Sequence, residues 1–513
     1  MALSWSPYQN KVYDYVAMEE GNLVIEAVAG SGKSTTLKEI VRRIPEDKSI
    51  LVLAFNKHIK EPLAEELSDL PNVEVATLNS FGFRAVRDGY MGRVKLDARK
   101  TGNILRFEVL DDDDESKHIF YGCVRQLSKI IALRKSLMVW EPYDNFTIER
   151  MVELMDAFDI DEPTAVPLKE LYELTCAVWS KSMADQRVVD FDDQLAFPIF
   201  HNLRMDTYDY ILVDEAQDLS PVQIELTKRA IDNEGGRAIY CGDRKQAIYQ
   251  FRGADSRAIQ RIESELGCAT LPLSICYRCG STIVDLAREI VPQIESVEGA
   301  PDGEIKTIYA NQFKPKQGDI VLCRTTAPLV DNCLRLIREG QKATVKGRDI
   351  GQSLMTIVKK VKGVVPESPI EEFLDLLDLY ASKQREALSR GRREQALQTL
   401  EDKIDTLLAL ASHVKTVGDL GLTIEKIFSD DKNPGVFFMT VHKAKGLEAP
   451  HVYIIRPDLM PHPKARDVES EMNIKYVAIT RAMERLTFVN PEDAPAPVNE
   501  SPEASTTTML NVN

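Results

Sequence analysis

The sequence predicts an α/β protein in which two parallel sheets are flanked by helices and interrupted by two mainly helical segments. Apolar, strand-like runs with glycine-rich or acidic ends occur in the first 90 residues, from about 208 to 275, and from 320 to 490. Helix-rich segments separate these runs. Because strands that alternate with helical patterns are typical of parallel sheets, we expect two sheets, each with its own insertion.

The chain is long enough for several folding units. Its 513 residues exceed one ordinary core and suit roughly three or four units. Hydrophobic residues make up 44% and charged residues 28%, which is the balance of a globular protein rather than a disordered one. The net charge of -16 argues against a protein that coats nucleic acid through bulk electrostatics, but it is compatible with a local binding groove.

The N-terminus and the cysteines bear on location and metal content. MALSWSPYQN lacks a secretory pattern and no apolar run approaches about 20 residues, so we expect a cytoplasmic protein with no membrane partner. Eight dispersed cysteines predict reduced thiols. Cys276 and Cys279 have CxxC spacing, but the absence of a second such pair in the sequence argues against zinc.

Two segments carry helical patterns. From about 92 to 180, apolar residues recur at spacings of three and four, as in CVRQLSKIIAL. From about 352 to 435, similar stripes are expected to face a core. The stripes comprise Phe373, Leu376, Leu377, Tyr380, Leu397, Leu400, Ile404, Leu407 and Ala411. Residues 491–513 are rich in Pro, Ser, Thr and acid, which predicts a disordered tail.

A phosphate-binding loop is indicated by LVIEAVAGSGKSTTL at residues 23–37. Gly30 and Gly32 allow backbone N–H groups to turn inward around phosphate oxygens, and the following helix adds its dipole. Lys33 would reach the β and γ phosphates, and Ser34 would ligate Mg²⁺. The generic pattern opens with Gly where this chain has Ala27, a small residue that still fits the turn.

A second acidic strand end supports the same chemistry. YDYILVDEAQD at residues 208–218 is an apolar strand that ends in paired carboxylates. Asp214 would hold the metal, and Glu215 would orient and deprotonate an attacking water. Together with the loop, these residues predict a nucleotide hydrolase that uses ATP and Mg²⁺.

The order of further segments resembles superfamily 1 helicases of the UvrD/Rep type. The segments are WSPYQNKV, LVLAFNKHIKEPLAEEL, ATLNSFGFRAV, VVDFDDQL, DEAQD, GDRKQAIYQFRGA, LSICYRC, KGRDIG, FMTVHKAKGLEAPHVYII and NIKYVAITRAMERL. The resemblance covers over half of the chain and leaves out most of the two insertions.

The resemblance implies two RecA-like P-loop motor domains with ATP between them. The expected first motor domain combines residues 1–91 and 181–270, and the second combines 271–351 and 436–490. Residues 92–180 and 352–435 are the expected helical insertions, followed by the tail at 491–513. The second insertion is short beside the corresponding subdomain of typical UvrD-like enzymes.

The resemblance also implies which residues contact nucleotide. The expected catalytic residues are Lys33, Asp214, Glu215, Gln246, Arg278 and Arg481, and the expected metal ligands are Ser34 and Asp214. The expected nucleotide contacts are Gln9, Ala29, Gly30, Ser31, Gly32, Lys33, Ser34, Thr35, Tyr277 and Glu448. Gln9 and Tyr277 would contact adenine, Glu448 the ribose, and the two arginines the γ phosphate. Thr35 replaces an arginine common in the family, which affects one nucleotide contact.

Strand binding is expected across the top of both motor domains, where bases stack on aromatic rings. The candidates are Phe55, Asn56, Thr77, Asn79, Tyr249, Phe251, Arg252 and His442. Phe251 stands where the family usually has Trp, and Asn79 stands where His is common. Stacking on Phe251 would persist with less ring overlap.

The implied function is an ATP-dependent helicase that moves 3′ to 5′ on single-stranded DNA and unwinds duplexes. The expected partners are single-stranded DNA and duplex junctions, and the acidic tail is a candidate contact for replication or repair proteins. RNA stays an alternative substrate. Two rival functions are a translocase that strips proteins without unwinding and a non-catalytic adaptor. The intact Lys33 and Glu215 argue against the adaptor.

Overall fold

The computed structural model describes residues 4–18, 21–140, 146–158, 160–163, 166–248, 257–361, 363–390, 394–428, 435–463, 465 and 467–491. Within these ranges the side chains of His58, Ala387, Arg390, Glu394 and Gln395 are not described. The candidates Tyr249, Phe251 and Arg252 lie outside the described residues, as does the expected tail from residue 492 onward.

The helices are α1 (Pro7–Ala17), α2 (Lys33–Arg43), α3 (Lys57–Glu66), α4 (Leu78–Gly89), α5 (Lys100–Ile104), α6 (Asp114–Ser136), α7 (Ile148–Ala157), α8 (Leu168–Ala184), α9 (Asp193–Phe200), α10 (Pro221–Arg229), α11 (Ala258–Leu266), α12 (Ser281–Arg288), α13 (Ala327–Arg338), α14 (Arg348–Lys360), α15 (Ile370–Arg390), α16 (Glu394–Ala411), α17 (Val417–Ile427), α18 (Val441–Ala444) and α19 (Val468–Ile479). A π-helical turn at Leu105–Val109 follows α5.

The strands are β1 (Leu23–Ala27), β2 (Ile50–Ala54), β3 (Val73–Thr77), β4 (Lys95–Leu96), β5 (Val188–Val189), β6 (Tyr210–Val213), β7 (Arg237–Gly242), β8 (Ala269–Leu273), β9 (Ile275–Cys276), β10 (Glu295–Ser296), β11 (Glu304–Tyr309), β12 (Ile320–Cys323), β13 (Ala343–Val345), β14 (Val436–Thr440), β15 (Ala449–Ile455) and β16 (Ala482–Asn490).

Two six-stranded parallel sheets organise the chain, which confirms the predicted α/β class. The first has the order β3-β2-β6-β7-β1-β8, and the second has the order β11-β16-β15-β12-β14-β13. Helices cover both faces of such sheets, so an inner strand can be apolar throughout, as in the fully buried ILVLA of β2. We call the parts built around these sheets the first and second lobes.

The chain passes from the first lobe to the second after β8. This strand pairs with β1 from Ala269 to Leu273, so the expected division at 270/271 falls inside it. The following strand, β9, pairs instead with β10. The last residue of β8 therefore lies beside the phosphate loop that follows β1, and the chain then enters the second lobe through β9.

The two helical insertions are built differently. Helices α5 to α8 enclose a core of their own, in which Cys123, Leu127 and Met151 are buried. By contrast, Leu354, Phe373 and Leu420 of the second insertion share one buried cluster with Val321 and Phe438 of the second sheet. The second insertion is therefore continuous with the second lobe.

The described helices include none that is both long and apolar enough to cross a bilayer. The eight cysteines are free thiols, and six of them are buried, including Cys276 and Cys279. Across the described residues, no cluster of three or more His, Cys, Asp or Glu side chains could hold a metal ion.

Gly82 allows a close crossing of two helices beside the candidate strand-binding residues. A Cβ atom at this position of α4 would lie 2.1 Å from the carbonyl oxygen of Gln194 in α9. Since that oxygen belongs to the backbone, the helices would have to move apart.

Gly82→Ala is expected to lower the free energy of unfolding by about 1–3 kcal/mol, because overpacking forces backbone shifts. The control is Gly102→Ala in α5, where the added Cβ would meet Val124 at an ordinary 3.5 Å and helix propensity favours Ala. Thermal and urea unfolding of both variants measure the difference. Equal unfolding midpoints would contradict the close crossing.

Candidate functional site

The phosphate loop lies between β1 and α2. Gly30 and Gly32 have φ angles of 69° and 78°, a left-handed backbone that glycine adopts without strain. Gly32 is also the residue before α2, so the loop leads into a helix N-terminus. Ser31 Oγ is buried and has no hydrogen-bond partner in the described part of the chain. The loop thus offers the Ser31 hydroxyl and has the backbone turn that a phosphate requires.

Carboxylates from neighbouring strands face this loop. Asp214 follows β6 and Asp243 follows β7, and both strands precede β1 in the order of the first sheet. The carboxyl ends of parallel strands meet at one edge, which explains why residues so far apart in sequence converge. Glu215 adopts a left-handed backbone, with φ 54°, at the turn after β6.

The charged groups at this edge shift one another's pKa values. Burial pulls the pKa of Lys33 down, but the charges of Glu215 and Asp243 outweigh it and leave that pKa raised. Burial likewise opposes ionisation of Glu215, but Lys33 and Lys445 outweigh it and lower the pKa of Glu215. The site therefore holds Lys33 as a cation and Glu215 as an anion.

Ser34 and Asp214 have the chemistry of a magnesium site. The Ser34 hydroxyl donates to Asp214 Oδ2 over 3.4 Å. Burial, and then the charge of Glu215, raise the pKa of Asp214 to about 6. One hydroxyl and one carboxylate fit Mg²⁺, which prefers oxygen ligands and keeps several waters or phosphate oxygens. These two residues are the ones expected from the sequence as metal ligands.

Two arginines of the second lobe lie at the same cleft. Arg481 is only 1% exposed and donates to the carbonyl oxygens of Val477 and Leu447. Burial and the nearby Arg278 lower the pKa of Arg481 to about 10. Arg278 forms an ion pair with Glu448, so two expected nucleotide contacts are bonded to each other.

Lys445 is a site residue that the sequence analysis passed over. Its Nζ lies 2.6 Å from Asp218 Oδ2 and donates to the carbonyl oxygen of Gln246 over 2.6 Å. Both side chains of the ion pair are buried, and burial raises the pKa of Asp218 to about 6. Lys445 belongs to HKAKGLE, from which His442 and Glu448 had been selected, so the signal was present in the motif.

Tyr476 is a second contact that the sequence analysis missed. The backbone N–H of Ala29, in the phosphate loop, donates to the Tyr476 hydroxyl over 2.8 Å. The same hydroxyl donates to Asp243 Oδ2 over 3.3 Å. Asp243 in turn accepts from Gln246 Nε2 over 2.8 Å. A side chain of α19 therefore fixes the loop from the opposite lobe.

The expected adenine contacts differ in how accessible they are. Gln9 completes the capping box of α1, in which its Oε1 accepts from the N–H of the N-cap Ser6, and its Nε2 donates to Thr36 Oγ1. Both ends of this amide are thus bonded within the protein, and the side chain is buried. Tyr277, by contrast, is 45% exposed, and its N–H donates to the carbonyl oxygen of Gly30. Thr35 is exposed on the first turn of α2.

Three candidates for strand binding have separate positions. Asn56 accepts from the N–H of Ile59 and caps α3, and Thr77 accepts from the N–H of Ser80 and caps α4. His442 lies on the short helix α18, which follows β14. These caps fix where α3 and α4 begin. Asn56 and Thr77 therefore have a structural role, whereas the sequence analysis had assigned them to DNA contact.

Phe55 and Asn79 line one cavity of 510 Å³ together with Phe191, which the sequence analysis did not select. Asn79 Nδ2 donates to the carbonyl oxygen of Phe191 over 2.9 Å. The Phe191 side chain is 54% exposed, an unusual position for a large aromatic ring. The sequence feature that could have identified Phe191 is its position as the single aromatic residue between carboxylates in VVDFDDQL.

Sequence comparison relates both lobes to known helicase domains. Residues 8–267 match the profile of the UvrD/REP helicase N-terminal domain. Residues 208–492 match the profile of the UvrD-like helicase C-terminal domain. Each match extends over more than half of the 513 residues.

Individual relatives are distant in sequence, but their alignments extend over much of this chain. The chain is 23% identical to the ATP-dependent DNA helicase PcrA of Staphylococcus epidermidis over 613 aligned positions, which cover 93% of this chain and 82% of that protein. It is 24% identical to a probable DNA helicase II homolog of Rickettsia felis, over 62% of this chain and 48% of that one. An arterivirus nonstructural protein 10 (helicase) structure aligns with 94% of this chain and 61% of its own, at 12% identity and a TM-score of 0.34, too low to establish a common fold.

Asp192 also lines the cavity, and its carboxyl makes the stability of the fold depend on pH. Burial and then the charge of Asp190 raise the pKa of Asp192 to about 6, although Lys135 opposes this. In an unfolded chain the pKa of Asp is about 3.9. The folded protein therefore binds more protons between about pH 4 and pH 6, and its stability falls as pH rises through that window.

Asp192→Asn is expected to raise the thermal midpoint at about pH 8 and to lose this advantage near about pH 4, because Asn has no carboxyl to ionise. The control is Asp112→Asn, which removes a charge from an exposed position. Thermal unfolding across this pH range measures both variants. A difference for Asp192→Asn that did not grow with pH would contradict the raised pKa.

Proposed function

Because the chain belongs to the UvrD/REP helicase family, and is thus an ATP-dependent DNA helicase, we propose that it moves 3′ to 5′ along single-stranded DNA. Each cycle of ATP binding and hydrolysis closes and reopens the cleft between the lobes, and duplex DNA is unwound ahead of the moving protein. Single-stranded DNA and duplex junctions are its proposed substrates, and the acidic segment after residue 491 is the proposed contact for replication or repair proteins.

The observation that supports coupling is the meeting of charged groups from both lobes. Glu215 of the first lobe interacts electrostatically with Lys33 of the same lobe and with Lys445 and Arg481 of the second. A group that gains or loses negative charge between these residues changes the attraction between the lobes. The γ phosphate is such a group, so its hydrolysis changes the attraction between the lobes and allows them to separate.

The proposed hydrolytic roles follow from this arrangement. Glu215 accepts a proton from the attacking water, because its lowered pKa keeps it ionised and the Gln217 amide holds its Oε2 over 2.5 Å. Lys33, Gln246, Arg278 and Arg481 contact the phosphates and stabilise the charge of the transition state. Ser34 and Asp214 would hold Mg²⁺, which would neutralise phosphate charge.

Nucleotide binding requires exchange of one existing contact. Arg278 is proposed to contact the γ phosphate and Glu448 the ribose, but in this structure the two form an ion pair. ATP must therefore replace the carboxylate of Glu448 beside Arg278. Tyr277, which is exposed between Cys276 and Arg278, stacks on adenine at the same step.

The proposed strand path crosses the cavity of Phe55, Asn79 and Phe191. Aromatic rings stack on any base, so these contacts would not select a sequence. Asn56, Thr77 and His442, together with Tyr249, Phe251 and Arg252, complete the proposed path. The negative net charge of -16 makes such local contacts more important than overall attraction.

The motor proposal predicts that Lys33→Ala lowers ATP turnover with single-stranded DNA by at least about 100-fold, because a phosphate contact that stabilises the transition state is lost. Lys38→Ala is the matched control, since Lys38 lies on the same helix but pairs with Glu66 at the surface. Steady-state phosphate release measures both. Retention of turnover by Lys33→Ala would contradict the site assignment.

Strand displacement on tailed duplexes tests direction and separates the rival functions. A duplex with a 3′ tail is expected to be unwound and one with a 5′ tail is not, because the protein loads on the tail and moves in one direction. Unwinding of the 5′-tailed duplex alone would reverse the polarity. DNA-stimulated hydrolysis with no displacement on either duplex would favour a translocase that strips proteins, and no hydrolysis would favour an adaptor.

Lys445→Met is expected to lower DNA-stimulated turnover by about 30-fold, equivalent to about 2 kcal/mol, because the buried carboxyl of Asp218 loses its cation and the cross-lobe bond is lost. The matched control is Lys443→Met, two residues away, whose ion pair with Asp349 is at the surface. Equal activities in the two variants would show that the buried contact does not support hydrolysis.

A further inference from the structure

Four charged side chains form a buried cluster between the first insertion and the strand-binding cavity. Lys100 Nζ lies 2.8 Å from Asp193 Oδ2. Lys135 Nζ lies 2.8 Å from Asp190 Oδ2 and 2.7 Å from Asp193 Oδ1. The four side chains are all less than one-tenth exposed. We call these residues the Lys–Asp cluster.

The cluster joins separate elements at one short segment. Lys100 is in α5, Lys135 is at the end of α6, and Lys100 also donates to the carbonyl oxygen of Ser182 in α8. Both carboxylates come from the four residues 190–193, at the start of α9. Three helices of the first insertion thus hold a single turn of the first lobe.

That turn carries Phe191. The Asp190 N–H donates to Asp193 Oδ2 and the Asp193 N–H donates to Asp190 Oδ1, so each carboxylate fixes the backbone of the other residue. The carbonyl oxygen of Phe191 accepts from Asn79. Asp190 and Asp193 are buried and bonded, whereas the Phe191 side chain between them is exposed and lines the cavity that Phe55 and Asn79 also line.

A buried ionic cluster of this kind is weak evidence for a role in stability. Moving four charges out of water is costly, and hydrophobic residues of similar size in place of a buried ion pair are often neutral or stabilising. Fixed geometry is what charged groups add, because each carboxylate here binds lysine and backbone N–H groups in set directions. An exposed ring that is held rigidly loses less conformational freedom when a base stacks on it.

We propose that Lys100 and Lys135 are positioning residues for DNA binding: through Asp190 and Asp193 they hold Phe191 as a preorganised stacking surface for a nucleic-acid base. This inference rests on the proposed function. It makes the first insertion part of the strand-binding surface even though its lysines do not reach the strand. The phosphate loop and Glu215 are not among the contacts of the cluster.

Single-stranded DNA titrations of ATP hydrolysis test the proposal, with oligothymidylate as the probe. Lys135→Met is expected to raise the half-saturating DNA concentration about tenfold, the range of one lost base stack. The effect should fall on this concentration rather than on turnover at saturating DNA or on the KM for ATP. Phe191→Ala should have a similar effect, and Phe191→Trp should restore binding.

The double variant Lys135→Met/Phe191→Ala makes the test specific. If Lys135 acts through Phe191, the double variant has the half-saturating concentration of Phe191→Ala alone. Additive losses, or a loss of turnover at saturating DNA, would overturn the proposal. The matched control is Lys181→Met, because Lys181 belongs to the same insertion but pairs with Glu108 at the surface and should bind DNA normally.

Asp190→Asn provides a second route should Lys135→Met not fold. This substitution keeps the acceptor for the Asp193 N–H but weakens the bond to Lys135. We therefore expect a smaller rise in the half-saturating DNA concentration than for Lys135→Met. In a Phe191→Ala background this rise should be absent. DNA dependence equal to that of the unmodified protein would overturn the proposal. If DNA fails to stimulate the unmodified protein, the proposed function fails instead, which keeps the two failures distinct.

Discussion

The contact between Lys445 and Asp218 is the interaction on which the cleft depends. It joins the two lobes through a buried ion pair, and the same ammonium also binds the backbone of Gln246. In a site with little water, each such charge is felt strongly by its neighbours. Lys33 and Lys445 keep Glu215 ionised, and Glu215 and Asp243 keep Lys33 ionised, although burial opposes both charges. A nucleotide entering the cleft would meet charges already held in place.

The parallel sheets explain why this contact can form. Asp214, Asp243 and the phosphate loop all follow strands of the first sheet and so lie at one edge. The second sheet presents α18 and α19 to that edge, with Lys445 just after α18 and Tyr476 within α19. The Tyr476 hydroxyl accepts from the N–H of Ala29, so the loop is bonded to the second lobe as well as to its own.

The first insertion reaches the same lobe by a different kind of interaction. Its own core is apolar, but its connection to the segment 190–193 consists of buried lysines and aspartates. An apolar connection would allow small sliding movements, whereas these bonds fix direction as well as distance. Directional bonds therefore link the insertion to the cavity beside Phe55, and Asp218, the ion-pair partner of Lys445, lines that cavity too.

The sequence by itself determined the features that depend on neighbouring residues. The alternation of apolar runs predicted the α/β class, and the glycines near Lys33 and the carboxylates at 214 and 215 predicted the hydrolytic centre, because turns and strand ends are encoded locally. Only the tertiary structure decided the rest: that Arg278 binds Glu448, that Asn56 and Thr77 cap helices, and that the second insertion shares the core of its sheet. Lys445, Tyr476 and Phe191 escaped sequence analysis for the same reason. Their partners are 112 to 447 residues away along the chain, and only folding brings such residues together.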